Sequence, residues 1–135
     1  MSFVLDTSVA VAWLFEDEAS AQADALAARV AQEGAITPSL WRLEVANVLL
    51  QAEKRGRIAA SDVALRLELL DALPISADGE TDARAWREGL ALARLHGLTS
   101  YDAAYLELAI RKGLALATRD RALIAAARKA GVAVL

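Results

Sequence analysis

The hydrophobic positions of this chain fall into two alternating patterns. Short apolar runs, of the length of buried strands, are separated by longer stretches in which apolar positions repeat every three or four residues, as in amphipathic helices. The strand candidates are residues 3–5, 35–37, 73–75, 114–117 and 132–135. Strands separated by helices predict an α/β fold with a parallel sheet and right-handed crossovers.

Helix boundaries follow from capping and helix-breaking residues. Helices are predicted from residue 7 to about 14, over 19–32, from about 38 to 55, from 61 onward, and over 80–95, 101–112 and 120–129. Gly56 and Gly113 are typical of helix C-termini, and Pro38 suits a first turn. Pro74 lacks an N–H group for a sheet ladder and therefore predicts an edge strand. No repeat or linker divides the sequence, so one domain over residues 1–135 is predicted.

The amino-acid composition excludes several kinds of active site and metal site. The chain has no Cys and one His, which excludes thiolate nucleophiles, disulfides and multi-histidine metal sites. No apolar run reaches the length of a membrane span, and residues 1–15 lack the basic start of a signal peptide and contain Asp6. We therefore expect a cytoplasmic protein that does not enter a membrane. The net charge of −3 argues against nonspecific coating of nucleic acid, but not against an enzyme that gathers acids around cations.

Three aspartates stand at the ends of predicted elements. Asp6 directly follows the first strand, Asp120 comes just after the strand that ends at Ala117, and Asp102 lies at the start of a helix. Ligands of parallel α/β sheets bind beyond the carboxyl ends of the strands, where such carboxylates are expected to lie. Each also has a structural explanation, because Asp is a common N-cap and Thr99 precedes Asp102 with capping-box spacing. Capping and chemistry both stay open for each aspartate taken alone.

Glu44 has a different setting, in the middle of a predicted helix. At about 100° per residue, it falls on a narrow polar stripe with apolar residues on both sides. The stripe is made of Glu44, Asn47 and Gln51, and its flanks of Leu43, Leu50, Trp41 and Val48. A carboxylate enclosed by apolar flanks should be paired, protonated or metal-bound. A buried salt bridge to an arginine and a metal site are therefore the two alternatives for Glu44.

Four carboxylates that converge on one point would suit a hard divalent cation. Mg²⁺ takes oxygen ligands, typically a few carboxylates with water and substrate phosphate, and such a site activates water without a histidine base. Thr118 is expected either to cap the following helix or to orient a neighbouring carboxylate through its hydroxyl. Arg119 and Arg121, on either side of Asp120, are expected either to contact phosphates or to be solvated. His96 is expected to be a cap or a surface residue.

The four acids lie in four stretches of sequence. These are Val4-Leu5-Asp6-Thr7-Ser8, Pro38-Ser39-Leu40-Trp41 through Glu44-Val45-Ala46-Asn47-Val48-Leu49, Tyr101-Asp102-Ala103-Ala104-Tyr105, and Ala117-Thr118-Arg119-Asp120. In this order and spacing, they resemble the PIN-domain family, particularly the VapC-type toxins of prokaryotic toxin–antitoxin pairs. Each motif is short, but the similarity spans essentially the whole chain.

This resemblance implies a three-layer α/β/α fold with a central parallel sheet of four or five strands. It also implies a metal-dependent endoribonuclease with Mg²⁺ or Mn²⁺ as cofactor. The implied acidic pocket consists of Asp6, Glu44, Asp102 and Asp120, supported by Thr118. Implied partners are an RNA substrate, a second copy in a homodimer, and a cognate antitoxin whose tail occupies the site. RNA as the substrate comes from the likeness alone.

Other classes of protein place acids at some of the same positions. Aspartyl-phosphate phosphatases also place Asp after the first strand, but they need a second acid two positions on, where this chain has Ser8. Receiver domains need an acidic pair there and a late lysine, which residues 132–134 do not provide. A non-catalytic PIN-like module that binds a protein partner stays an alternative, as does a nuclease that acts on DNA. Trp13, Trp41 and Trp86 are expected in the core or in a dimer interface rather than stacked on bases.

Overall fold

The computed structural model describes residues 2–135, over which strands alternate with helices. The strands are β1 (Phe3–Leu5), β2 (Ala35–Thr37), β3 (Ile75–Ala77) and β4 (Leu116–Ala117). The helices are α1 (Thr7–Leu14), α2 (Ala21–Glu33), α3 (Trp41–Lys54), α4 (Ala60–Asp71), α5 (Thr81–Arg84), α6 (Leu90–His96), α7 (Ser100–Lys112) and α8 (Arg121–Lys129). A 3₁₀ turn (Glu16–Glu18) precedes α2, and a π-helical segment (Ala85–Gly89) joins α5 to α6.

The strands form one parallel sheet in the order β3-β2-β1-β4. In the central strand β1, Val4 pairs with Ile36 of β2 on one side and with Leu116 of β4 on the other. Phe3, Val4 and Leu5 have no solvent exposure, as expected for a parallel strand covered by helices on both faces. The predicted α/β/α class, with a central parallel sheet of four strands, is confirmed.

The third strand lies two residues beyond its predicted position. Pro74 cannot donate a hydrogen bond, and pairing with β2 begins at Ile75, opposite Ala35. Pro74 contributes only its carbonyl, which accepts from the Ala35 N–H at 3.1 Å. β3 lies at the edge of the sheet, as the proline predicted. Because of the shift, Asp78 is the residue that directly follows this strand.

The strands predicted near the C-terminus are shorter than expected. β4 covers only Leu116–Ala117, and the strand predicted over 132–135 is reduced to one parallel bridge between Leu116 and Val134. Gly131, with a φ of +77°, turns the chain out of α8. The Val132 N–H then donates back to the Ala127 carbonyl at 2.8 Å, so the chain still completes the helix end where the strand was expected to begin.

Two helices depart from the predicted pattern. α3 begins at Trp41, three residues after Pro38, because the Trp41 N–H first closes a turn on the Pro38 carbonyl at 3.2 Å. The helix predicted over 80–95 contains the π-helical segment. A side chain at Gly89 would place its Cβ 3.3 Å from the carbonyl oxygen of Arg84. Glycine therefore permits the close backbone approach of the wider turn.

One apolar core unites the sheet with the surrounding helices. Among its most buried members are Phe3, Val9, Leu49, Leu106 and Leu123, none more than 1% exposed. This packing fixes the carboxyl edge of the sheet, because α1 and α8 begin just beyond β1 and β4. No helix within residues 2–135 is long and apolar enough to cross a membrane. One domain over residues 1–135 stays a prediction, and Met1 lies outside the described residues.

Candidate functional site

Asp6 follows the central strand and is buried, with 5% of the residue exposed. Its Oδ2 accepts hydrogen bonds from Ser8 Oγ at 2.6 Å and from Thr118 Oγ1 at 2.8 Å. Thr118 follows β4, the neighbour of β1 in the sheet, and is also buried. The Asp6 N–H donates to the Ala117 carbonyl at 3.0 Å, so the two strand ends are held side by side. One oxygen of Asp6 is therefore fixed by two hydroxyl groups.

A second acid, Asp120, is connected to the same group. Its N–H donates to Thr118 Oγ1 at 3.1 Å, and the Arg119 N–H donates to Ser8 Oγ at 2.8 Å. Asp120 also caps α8, since its Oδ1 accepts from the Leu123 N–H at 2.9 Å. The capping explanation is thus correct for Asp120. It occupies one carboxylate oxygen and leaves the other able to meet a ligand.

Glu44 reaches this edge of the sheet from α3. Its Oε1 accepts hydrogen bonds from the Tyr105 hydroxyl and, at 3.1 Å, from Thr7 Oγ1. The two hydroxyl oxygens are themselves 2.9 Å apart. Within residues 2–135, these hydroxyls take the place of the arginine that was the structural alternative for Glu44.

The apolar enclosure predicted around Glu44 is wrong on one side. Leu43 and Leu50 are 75% and 47% exposed, because α3 turns Val45 and Leu49 toward the core instead. Glu44 lies half-buried beside that core face. Its carboxylate is therefore in contact with buried hydroxyl groups while one flank of the helix is open to solvent.

Asp102 lies in the first turn of α7, after the N-cap residue Thr99. Thr99 Oγ1 accepts from the Asp102 N–H at 3.1 Å, so the threonine half of the predicted capping box is present. Tyr105 follows three residues later on the same helix, where side chains lie on one face. A single helix therefore supplies both an acid and the hydroxyl partner of Glu44.

Burial is the main cause that raises the pKa of Asp6, of Glu44 and of Asp102. Like charges add to it: Asp120 raises the pKa of Asp6, and Asp120 and Asp6 raise that of Asp102. Asp6 and Asp102 together raise the pKa of Glu44. Hydrogen bonds from hydroxyl groups oppose these effects in part. Since like charges act this way only when they are close and poorly solvated, the four carboxylates lie in one electrostatic environment.

This donor set fits a divalent cation that is held partly through water. Within residues 2–135, no group of three or more Asp, Glu or His side chains is arranged so that it could hold a metal ion, so the site is not an all-protein metal cage. Mg²⁺ does not need one, since it commonly binds one or two carboxylates together with waters and substrate phosphate. A cation would relieve the repulsion among the acids. Glu44 also keeps Oε2 free of hydrogen bonds from any residue in the described range.

Sequence reasoning missed two residues near this edge. Tyr105 was given no role of its own, because an aromatic residue on an amphipathic helix normally indicates a core position. Its spacing of three residues from Asp102, which places both side chains on one face of the helix, was the available signal. Asp78 was missed because β3 was predicted two residues too early. It follows a strand like Asp6, but it is paired with Arg111 at 2.7 Å and its side chain is 3% exposed. Asp78 thus belongs to a separate buried ion-pair network.

Comparison with known protein families gives a match to the PIN domain over residues 3–129. The chain belongs to the PIN-domain family. This PIN domain is 36% identical over 123 residues to Ribonuclease VapC3 of Pyrobaculum aerophilum, a match that covers 91% of this chain and 92% of that relative. It is also similar to the crystal structure of PAE2754 from Pyrobaculum aerophilum, with a TM-score of 0.73 and 25% identity. That alignment covers 99% of this chain and 89% of the other.

The three tryptophans of this PIN domain have different environments. Trp41 is in the core with 5% exposure, and Trp13 packs against the core, where its Nε1 donates to the Ala23 carbonyl at 2.7 Å. Trp86, in the π-helical segment, is 89% exposed. It is therefore not a core residue, and an interface remains its predicted role.

Proposed function

We propose that this PIN domain is a divalent-metal-dependent endoribonuclease whose acidic site consists of Asp6, Glu44, Asp102 and Asp120. The observation that carries the proposal is the clustering of these acids, of which three have a pKa raised by burial and by the charges of the others. The similarity to Ribonuclease VapC3 over nearly the full length of both chains supports RNA as the substrate. We propose Mg²⁺ or Mn²⁺ as the cofactor.

The side chains have distinct roles in this proposal. Asp6, Glu44, Asp102 and Asp120 are the proposed ligands of the cation, one or two of them directly and the others through water. When bound, the cation supplies an activated water and compensates the charge of the scissile phosphate. Thr118 orients Asp6 through their 2.8 Å hydrogen bond, as outer hydroxyls commonly do for ligating carboxylates.

The RNA backbone needs cationic contacts beside this acidic edge. Arg119 and Arg121 are exposed and stand on either side of Asp120. Phosphate contacts position nucleic acids without reading their sequence. We assign these two arginines to the phosphates that flank the cleaved bond.

We further propose that the chain is the toxin of a toxin–antitoxin pair and acts as a homodimer. The motif resemblance to VapC-type toxins and the 36% identity to a VapC ribonuclease support a cognate antitoxin as partner. The exposed apolar residues Trp86 and Leu90, one helical turn apart, support self-association. Because cellular RNA is the proposed substrate, the cytoplasm is the proposed compartment.

Cleavage of a mixed RNA pool by the purified chain tests the activity. We expect fragments in the presence of Mn²⁺ or Mg²⁺ and none with EDTA. The Asp102→Asn variant should lower the rate by about 100-fold or more, because it removes a charged ligand, and the loss of even an outer partner of a ligand costs about 10- to 100-fold. Asp62→Asn is the matched control, since Asp62 is an exposed acid in the first turn of α4, and it should cleave like the parent.

Two results would contradict the proposal. Equal cleavage by the parent and by Asp102→Asn would indicate a contaminating nuclease. Binding of Mn²⁺ without cleavage of any RNA in the pool would instead favour a non-catalytic module that holds a partner.

A further inference from the structure

Three oxygen atoms from three helices form a closed group at the edge of the site. Thr7 is the first residue of α1, Glu44 lies in α3, and Tyr105 lies in the middle of α7. Both hydroxyl groups donate to the same carboxylate oxygen, Oε1 of Glu44, and their own oxygens are 2.9 Å apart. One oxygen of Glu44 therefore accepts two hydrogen bonds, one from each hydroxyl group.

The two hydroxyl groups belong to buried residues. Tyr105 has no solvent exposure and belongs to the core, and Thr7 is 8% exposed. A tyrosine hydroxyl keeps its proton at neutral pH, and that of Tyr105 donates it to Oε1 of Glu44. A phenylalanine would fill the same core space without bringing a polar group that has to be satisfied. Core packing alone therefore does not explain why the residue is a tyrosine.

The two hydrogen bonds that Oε1 accepts restrict the orientation of the whole carboxylate. A glutamate side chain has three rotatable bonds and would otherwise sample several directions at a half-buried site. With Oε1 held, Oε2 accepts no hydrogen bond from any residue in the described range and is available to a ligand. The charges of Asp6 and Asp102 both raise the pKa of this carboxylate, so Glu44 lies near these two acids.

We propose that Tyr105 is a positioning residue, which together with Thr7 holds Oε1 of Glu44 so that Oε2 is presented to the divalent cation. This inference rests on the proposed function only as far as the metal site. It assigns Tyr105 no contact with RNA and no proton transfer. It does require that the effect of the Tyr105 hydroxyl on the cation pass through Glu44.

A double-mutant cycle on Mn²⁺ affinity tests this requirement. The affinity is measured by calorimetric titration of the full chain without RNA, for the parent, Tyr105→Phe, Glu44→Gln and the double variant. We expect Tyr105→Phe to weaken Mn²⁺ binding by about 10-fold or more, the usual effect of losing a hydrogen bond to a ligating group. In the Glu44→Gln background, the same substitution should change the affinity by less than about twofold, because the amide still accepts the hydrogen bond but no longer offers a carboxylate oxygen to the cation.

Two controls separate positioning from a general effect on folding. Tyr101→Phe removes an exposed hydroxyl from the same helix and should leave Mn²⁺ affinity unchanged. Thr7→Val should weaken binding, whereas Thr7→Ser, which keeps the hydroxyl, should restore most of it. If Tyr105→Phe does not fold, as judged by thermal melting, the comparison of Thr7→Val with Thr7→Ser decides.

The outcomes are distinct from those of the cleavage assay. Unchanged Mn²⁺ affinity in Tyr105→Phe, or an equal loss in both backgrounds, would overturn the positioning role. So would equal affinities of Thr7→Val and Thr7→Ser. A parent chain that binds Mn²⁺ with the predicted couplings but cleaves no RNA would contradict the proposed function alone, and a parent that binds no Mn²⁺ would overturn both.

Discussion

Each of three site acids is less stable as a carboxylate in the folded chain than in water. For Asp102, burial raises the pKa first, and the charges of Asp120 and Asp6 raise it further. The folded chain then holds the proton of Asp102 more tightly than the unfolded chain does. The free energy of unfolding therefore falls as the pH rises from the ordinary Asp value of 3.8 through the raised pKa.

Asp102→Asn should consequently stabilise the metal-free protein at pH 7. The substitution removes a repelled, partly buried charge and leaves intact the backbone N–H that Thr99 accepts. We expect a melting temperature a few degrees above that of the parent in EDTA, where 1 kcal/mol corresponds to roughly 4 °C for a chain of this size. The difference should vanish as the pH falls below 3.8, where Asp102 is protonated in both the folded and the unfolded parent chain. A lower melting temperature of the variant at pH 7 would contradict this electrostatic description.

Some residues of the site could be predicted from the sequence better than others. Asp6 and Asp120 could be placed because short apolar runs fix where β1 and β4 end. The surroundings of Glu44 could not, because helical periodicity does not say which side of α3 faces the core. Tyr105 was hidden for the same reason, since its role depends on contacts with two other helices.

At the scale of elements, Arg111 connects α7 to the loop that follows β3. Its guanidinium contacts Asp78 at 2.7 Å and, one turn back on α7, Glu107 at 2.9 Å. The exposed fractions of these side chains are 13% for Arg111, 3% for Asp78 and 7% for Glu107. α7 carries Asp102 and Tyr105, so this ion-pair network fixes the helix that supplies them.

Arg111→Met should destabilise the fold by about 3 kcal/mol at pH 7, because it leaves two buried carboxylates without their cation. Urea unfolding followed by circular dichroism measures the change, and the exposed Arg94→Met on α6 should stay within about 0.5 kcal/mol of the parent. Arg111 lowers the pKa of Asp78, so the contribution of this pair is complete above 3.8 and is lost as the pH falls through the lowered pKa. A loss at pH 7 no larger than that of Arg94→Met would show that the network does not stabilise the fold.

The end of a helix could be predicted where a single residue determines it. The bounds of a strand were harder to predict, because they depend on pairing with another strand. Gly113 ends α7 in the left-handed conformation, as its sequence position indicated. The start of β3 depends on its partner β2 as well as on Pro74, which moved the strand by two residues. The segment after Gly131 has strand-like composition, yet it forms only the bridge at Val134.

At the scale of the whole molecule, several large apolar side chains remain in solvent. Trp86 is 89% exposed and Leu90, one turn on, is 37% exposed. Exposed apolar residues that adjoin one another are typical of interaction surfaces. Trp86 was predicted to lie either in the core or in a dimer interface, and its exposure removes the core alternative.

If the homodimer forms through this surface, Trp86→Glu should weaken self-association by at least about 10-fold. A Trp that becomes buried when two chains associate is a typical anchor of an interface. Analytical ultracentrifugation over a concentration series measures the dissociation constant. Leu65→Glu, an equally drastic change at an exposed site on α4, should leave it unchanged. A parent chain that stays monomeric, or a Trp86→Glu variant that dimerises like the parent, would remove this surface from the proposal.

The central claim is that four carboxylates act as one metal-dependent site, and single-turnover RNA cleavage in Mn²⁺ tests it most directly. The variants are Asp6→Asn, Glu44→Gln, Asp102→Asn and Asp120→Asn, with Asp62→Asn as control. We predict that each of the four loses about 100-fold or more in rate while the control cleaves like the parent. Parental cleavage by any of the four folded variants would contradict the claim that its carboxylate belongs to the site.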